Sequence, residues 1–177
     1  MCVLIIKPKG VKMPDARKLQ MAFKANPHGC GCASSTKFFK SLSFDTFMRK
    51  LAKVGDDENC MIHFRFATHG SIKRANCHPF KQGDVYFAHN GIIDIDRTDD
   101  RTDSETAFDE MVYPAILRYG WNSEEVKTVA SNLCQYGSKI ALMQNGELLM
   151  FGNFIQDADG CYYSNHRFMY CANSFAQ

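Results

Sequence analysis

Met1-Cys2-Val3-Leu4-Ile5-Ile6-Lys7 opens the chain, and its reading decides the fold. Cys2 to Ile6 is dense in apolar and β-branched residues and stops at Lys7-Pro8-Lys9-Gly10, which suits a buried strand at the very start of the sequence. The first side chain of that strand is a thiol. A small residue after the initiator usually allows Met1 to be removed. Cys2 would then hold a nucleophile and, in an α-amine of pKa about 7.7 to 8.0, the proton acceptor that nucleophile needs. Alone the signal is weak, because a cysteine at position 2 is usually an accident of sequence.

Working outward, Asp15 to Ala25 has helical spacing in Ala16, Leu19, Ala22 and Phe23, ended by Asn26-Pro27. A tight extended segment follows through Gly29, Gly31 and Ala33 to Ser35. Ser43 can cap a second helix with Phe44, Phe47, Met48 and Leu51 on one stripe and Gly55 at its close. Cys60 to Ala67 and Asp84 to His89 read as strands, with Lys81-Gln82-Gly83 as a turn and Thr68 to Pro79 as an irregular loop suited to a site. A helical pattern from Ser104 to Tyr119 should bend or split at Pro114, and another helix begins near Asn122. Lys139 to Met143, an Asn145-Gly146 hairpin turn, Leu148 to Phe151 and Cys161 to Ser164 give a β-rich end. Strands at both ends with helices between them predict a layered α+β fold rather than a parallel βαβ winding.

The length, 177 residues, is one domain's worth, so 1–177 is expected to be a single domain. With 45% apolar and 23% charged residues the chain is globular. A net charge of +2 argues against a nucleic-acid partner. The five-residue apolar run before Lys7 is too short for a signal peptide, and no stretch approaches the roughly 20 residues of a membrane helix. A cytoplasmic protein is therefore expected. The thiols of Cys30, Cys32, Cys60, Cys77, Cys134, Cys161 and Cys171 should stay reduced as small core side chains. No Cys-x-x-Cys pair occurs, so Cys30, Cys32, Cys60, His63, Cys77 and His78 make a poor metal set, and no metal or cofactor is expected.

Three further segments can carry chemistry, each with a plain structural alternative. Arg65-Phe66-Ala67-Thr68-His69-Gly70 puts a planar guanidinium at a strand end, a natural carboxylate clamp or a surface arginine beside core residues. His89-Asn90-Gly91 can be an oxyanion hole of the Asn90 amide and the Gly91 N–H, or a common hairpin turn. Thr102-Asp103-Ser104-Glu105 has capping-box spacing, and Asp103 could serve the positive helix end or hold an ammonium group.

In this order, with Asn76-Cys77-His78-Pro79 between them, the segments resemble class II glutamine amidotransferase domains of the N-terminal nucleophile hydrolase superfamily, such as the glutaminase half of glucosamine-6-phosphate synthase. The resemblance implies a four-layer αββα sandwich of two antiparallel sheets. It makes Cys2 the nucleophile and its amine the base, with Asn90 and Gly91 holding the oxyanion. Arg65 would bind the α-carboxylate of L-glutamine and Asp103 its α-ammonium, while Thr68 and His69 line the pocket. His28 stands where many members have a carboxylate, and Phe66 where a tryptophan is common. The implied activity is glutamine hydrolysis through a Cys2 glutamyl thioester, with ammonia passed to a synthetase or amidoligase on a separate chain. A decayed binding protein on the same fold and an amidohydrolase for another amide are the competing readings. A zwitterion clamp weighs against both, since a decayed site has no need of Arg65 and Asp103 and an apolar amide would want an apolar pocket.

Overall fold

The computed structural model describes residues 2–68, 70–95 and 101–171. Val3–Lys7 forms strand β1, with all five residues buried. Alternation sends Val3 and Ile5 to one face and Leu4 and Ile6 to the other, so both faces of this strand must be covered. Lys7 ends the strand without exposing its charge. Its ammonium donates to the carbonyls of Asp56 at 2.9 Å, Glu58 at 2.7 Å and Pro8 at 3.3 Å.

Helix α1 (Ala16–Ala25) starts on the Asp15 side chain, which accepts from the Lys18 amide. Strands β2 (Cys30–Ser34) and β3 (Phe38–Ser41) lead to helix α2 (Phe44–Leu51), capped by Ser43 as the sequence predicts. Next come β4 (Cys60–Phe64), a 3-10 turn at Arg74–Asn76, β5 (Phe80–Gln82) and β6 (Val85–Asn90). Helix α3 (Asp103–Ala107) runs through a wide π turn at Phe108–Val112 into α4 (Tyr113–Tyr119), and α5 (Glu124–Asn132) follows. Strands β7 (Lys139–Gln144), β8 (Glu147–Phe151), β9 (Ile155–Gln156) and β10 (Tyr162–Tyr163) precede helix α6 (Arg167–Cys171).

The strands make two antiparallel sheets, ordered β3-β2-β4-β1-β10-β9 and β5-β6-β7-β8. Leu4, Ile6, Ala33 and Met61 of the first meet Ala88, Ala141 and Met143 of the second. The outer face of the six-stranded sheet packs Val3, Ile5, Ile62 and Phe64 on Leu19, Ala22, Phe47 and Phe168 from α1, α2 and α6. That of the four-stranded sheet packs Phe87, Ile140 and Leu142 on the α3–α5 layer. The order of layers is therefore α, β, β, α, the sandwich expected from the sequence. Among the described residues no helix is long and apolar enough to cross a membrane.

Four local readings need correction. Lys81 and Gln82 lie on an edge strand rather than in a turn, which falls at Gly83-Asp84 because Gln82 pairs with Val85. Asn90-Gly91 is not a hairpin turn, since β6 pairs with β5 and β7 and no strand follows directly. The strand expected over Cys60 to Ala67 ends at Phe64. Finally, the helix adapts to Pro114 one turn early. The proline has no N–H for the Glu110 carbonyl, and widening the preceding turn relieves the ring's clash there.

Candidate active site

Register brings the thiol to its neighbours. Val3 pairs with Phe64, so Cys2 lies beside the segment that follows β4, and its Sγ accepts from the Phe66 amide at 3.3 Å. Burial raises the thiol's pKa above the ordinary value, against the pull of the Phe66 hydrogen bond and the Arg65 charge. The resting group is thus a thiol, which needs a base before it can attack. Of the other cysteines, burial pushes Cys134 to about 11 and Cys161 to about 12.

The Cys2 carbonyl accepts from two side chains. The amide of Asn90, the last residue of β6, donates at 2.8 Å, and that of Asn165, just past β10, at 2.9 Å. Asn90 also donates to Ser164 Oγ at 2.6 Å, and this hydroxyl accepts the Leu4 amide at 2.9 Å. The sequence marks Ser164 only as a strand end and gives Asn165 no role. They fall at the end of a two-residue strand with no motif around them, and only the antiparallel pairing of β1 with β10 brings them to Cys2.

Gly91 carries the chain past Ser138 so closely that a Cβ would overlap the serine side chain. Its φ of 150° is also one that other residues rarely adopt. Ser138 Oγ then brackets the next residue, donating to the Ile92 carbonyl at 3.0 Å and accepting its amide at 3.2 Å. Asp103 Oδ2 accepts from the Ile93 amide at 3.0 Å, tying this loop to the start of α3. Thr102 is indeed the N-cap of that helix, its hydroxyl accepting from the Glu105 amide at 3.2 Å. Capping falls to Thr102, and Asp103 is left half-buried at the loop.

Arg65 is buried, and its guanidinium donates to the Ser71 carbonyl at 3.0 Å, which also receives the Asn76 amide at 3.0 Å. A Cβ on Gly70 would lie 3.6 Å from Arg65 Nη2 and 3.7 Å from Thr102 Cγ2, so the Gly70 loop borders both the arginine and the start of α3. Thr68 is exposed on the same loop, and His69 lies outside the described residues. His28 fixes this strand end without a carboxylate. Its Nδ1 accepts from the Ala67 amide at 2.8 Å, its backbone amide donates to the Arg65 carbonyl at 3.0 Å, and its ring lies 5.0 Å from that of Phe66.

Two facing antiparallel sheets between helix layers, with a cysteine heading a central strand, define the N-terminal nucleophile hydrolase fold. The family model for class-II glutamine amidotransferases matches residues 43–155, and the chain belongs to that family. The matched stretch includes Arg65, Asn90, Gly91 and Asp103 but begins after Cys2. A solved protein described as the allosteric regulatory enzyme of purine biosynthesis shares the fold with a TM-score of 0.54 at 17% identity. The match covers 92% of this chain and 41% of that one, so the chain spans about two fifths of that protein's length. No curated protein sequence matches.

Proposed function

We propose that residues 1–177 form one glutaminase domain that releases ammonia from L-glutamine through a thioester on Cys2. The observation that carries this reading is the meeting of Asn90 and Asn165 on the Cys2 carbonyl, which joins the candidate nucleophile to the candidate oxyanion loop. Removal of Met1 frees the Cys2 α-amine, which takes the thiol proton. The thiolate attacks the side-chain amide carbon of glutamine, and the resulting oxyanion is held by Asn90 Nδ2 and the Gly91 N–H. The Cys2 ammonium returns a proton to the departing nitrogen, ammonia leaves, and water hydrolyses the glutamyl thioester to glutamate and the free thiol.

Arg65 takes the α-carboxylate and Asp103 the α-ammonium, with Thr68 and His69 on the pocket wall. A site built for both charges rejects amides lacking either, because a partner would be left unpaired. The ammonia is used at an acceptor site outside these 177 residues, that of a synthetase or amidoligase. The test is the intact mass of the purified protein before and after a glutamine-like diazoketone. The expected result is loss of Met1 and one adduct on Cys2, absent in Cys2→Ala. An adduct on Cys30 or Cys77, or none on a protein that has lost Met1, would overturn the assignment.

A further inference from the structure

A concave region that Cys2 does not line lies between edge strand β3 of one sheet and edge strand β5 of the other. It is a cleft of about 760 Å³, within the range of small-molecule sites. Four cations line it, each from a different element: Lys40 of β3, Lys50 of α2, Arg74 of the 3-10 turn and Lys81 of β5. Among the described residues none of the four forms an ion pair. Of the lining carboxylates, Asp109 is engaged by Arg101 at 2.6 Å and by Gln82, which leaves Glu105 facing the four positive groups.

The ammonium groups gather over rings. Lys40 Nζ lies 4.7 Å from the Phe80 centroid and 5.9 Å from that of Phe38, while Lys81 Nζ lies 5.7 Å from Phe38 and 5.3 Å from Tyr86. Two like charges thus converge on one exposed ring. Lysines on edge strands can serve simply to block strand addition, which accounts for Lys81. It does not account for Lys40, whose amine is tucked inward, donates to the Ala75 carbonyl at 3.1 Å and is pushed down to about 8 by burial. Nor does it account for Lys50 and Arg74, which converge from outside the strands. Repulsion among these groups is relieved by an anion that bridges several of them, and the part-exposed Phe38 ring, 5.2 Å from that of Tyr86, adds an aromatic surface for a planar ring to lie against.

We propose that this cleft binds a nucleoside polyphosphate, its phosphates among Lys40, Lys50, Arg74 and Lys81 and its base on Phe38. The test is titration calorimetry of the whole chain with ATP, inorganic tripolyphosphate, adenosine and a ten-nucleotide oligothymidylate. ATP should bind at micromolar to submillimolar concentration, at least tenfold more tightly than tripolyphosphate, and adenosine should be weaker than both. Raising the salt should weaken ATP, since partly exposed charges are screened. Arg74→Ala and Phe38→Ala should each weaken ATP about tenfold. Arg74 is exposed at the start of the 3-10 turn, so that variant keeps the test valid if Phe38→Ala misfolds. Equal affinity for ATP and tripolyphosphate would overturn the proposal, as would tighter binding of the oligonucleotide or no heat from ATP at millimolar concentration.

Discussion

Asn90 spends both amide hydrogens beside the proposed nucleophile, one on the Cys2 carbonyl at 2.8 Å and one on Ser164 Oγ at 2.6 Å. To donate to an oxyanion it must give up one of them, and Asn165 then keeps the Cys2 carbonyl in place. Asn90→Ala should therefore lower kcat by roughly 10² to 10³ with little change in KM, as for a donor used mainly in the transition state. Asn165→Ala should lower kcat by about tenfold, again at constant KM and with a small change in Tm, because the lost group positions Cys2 without touching substrate. A rise in KM alone in either variant would make these residues structural. Arg65→Lys and Asp103→Asn should do the opposite, raising the KM for glutamine by about tenfold or more through lost bidentate geometry and lost charge. Steady-state glutaminase assays separate the two patterns.

Strand β1, helices α1 and α2 and the hairpin at Asn145-Gly146 were legible in the sequence because each rests on local signals: an apolar run, caps at Asp15 and Ser43, and a turn that tolerates positive φ. Strands β3, β5 and β9 were not. They are short edge strands with exposed positions, and only pairing with β2, β6 and β10 makes them strands at all. Motif order singled out Cys2, Arg65, Asn90, Gly91 and Asp103, whereas Ser164 and Asn165 depend on a pairing between residues some 160 positions apart. The end of β6 joins the two sets, since Asn90 reaches both Cys2 and Ser164, and Gly91 follows it directly. Gly91→Ala meets both an unfavourable φ and overlap with Ser138, so the loop must move off the serine that brackets it. The expected outcome is a stability loss of about 1–3 kcal/mol in urea unfolding together with a large fall in kcat. Gly10→Ala is the control, with positive φ but nothing within 4 Å of the new Cβ, and it should cost only the strain and leave kcat unchanged.

At the scale of the whole molecule, three histidines among the described residues are buried where the sheets come together: His63 on β4, His78 before β5 and His89 on β6. The His63 and His78 rings lie 4.4 Å apart, and His89 Nδ1 bonds Ser104 Oγ at 2.9 Å. Burial, joined by neighbouring positive and histidine groups, holds His63 down to about 3 and His78 well below the ordinary value. Burial also lowers His89 to about 4, against the pull of Asp103. All three are neutral in the folded protein at neutral pH, while in the unfolded chain they titrate near about 6.5. Below that pH the unfolded state binds protons that the folded state refuses. The stability these groups allow is therefore fully present above about pH 6.5 and drains as pH falls toward their folded values, by up to about 1.4 kcal/mol per pH unit for each histidine. Urea unfolding between pH 7.5 and 5 should show this fall before most carboxylates titrate. His63→Phe, which keeps a buried ring without a titrating group, should flatten the slope by up to about 1.4 kcal/mol per unit. A variant with the wild-type slope would place the acid sensitivity elsewhere, and an unfolding free energy flat across that range would mean that the three rings titrate in the fold as they do in the unfolded chain.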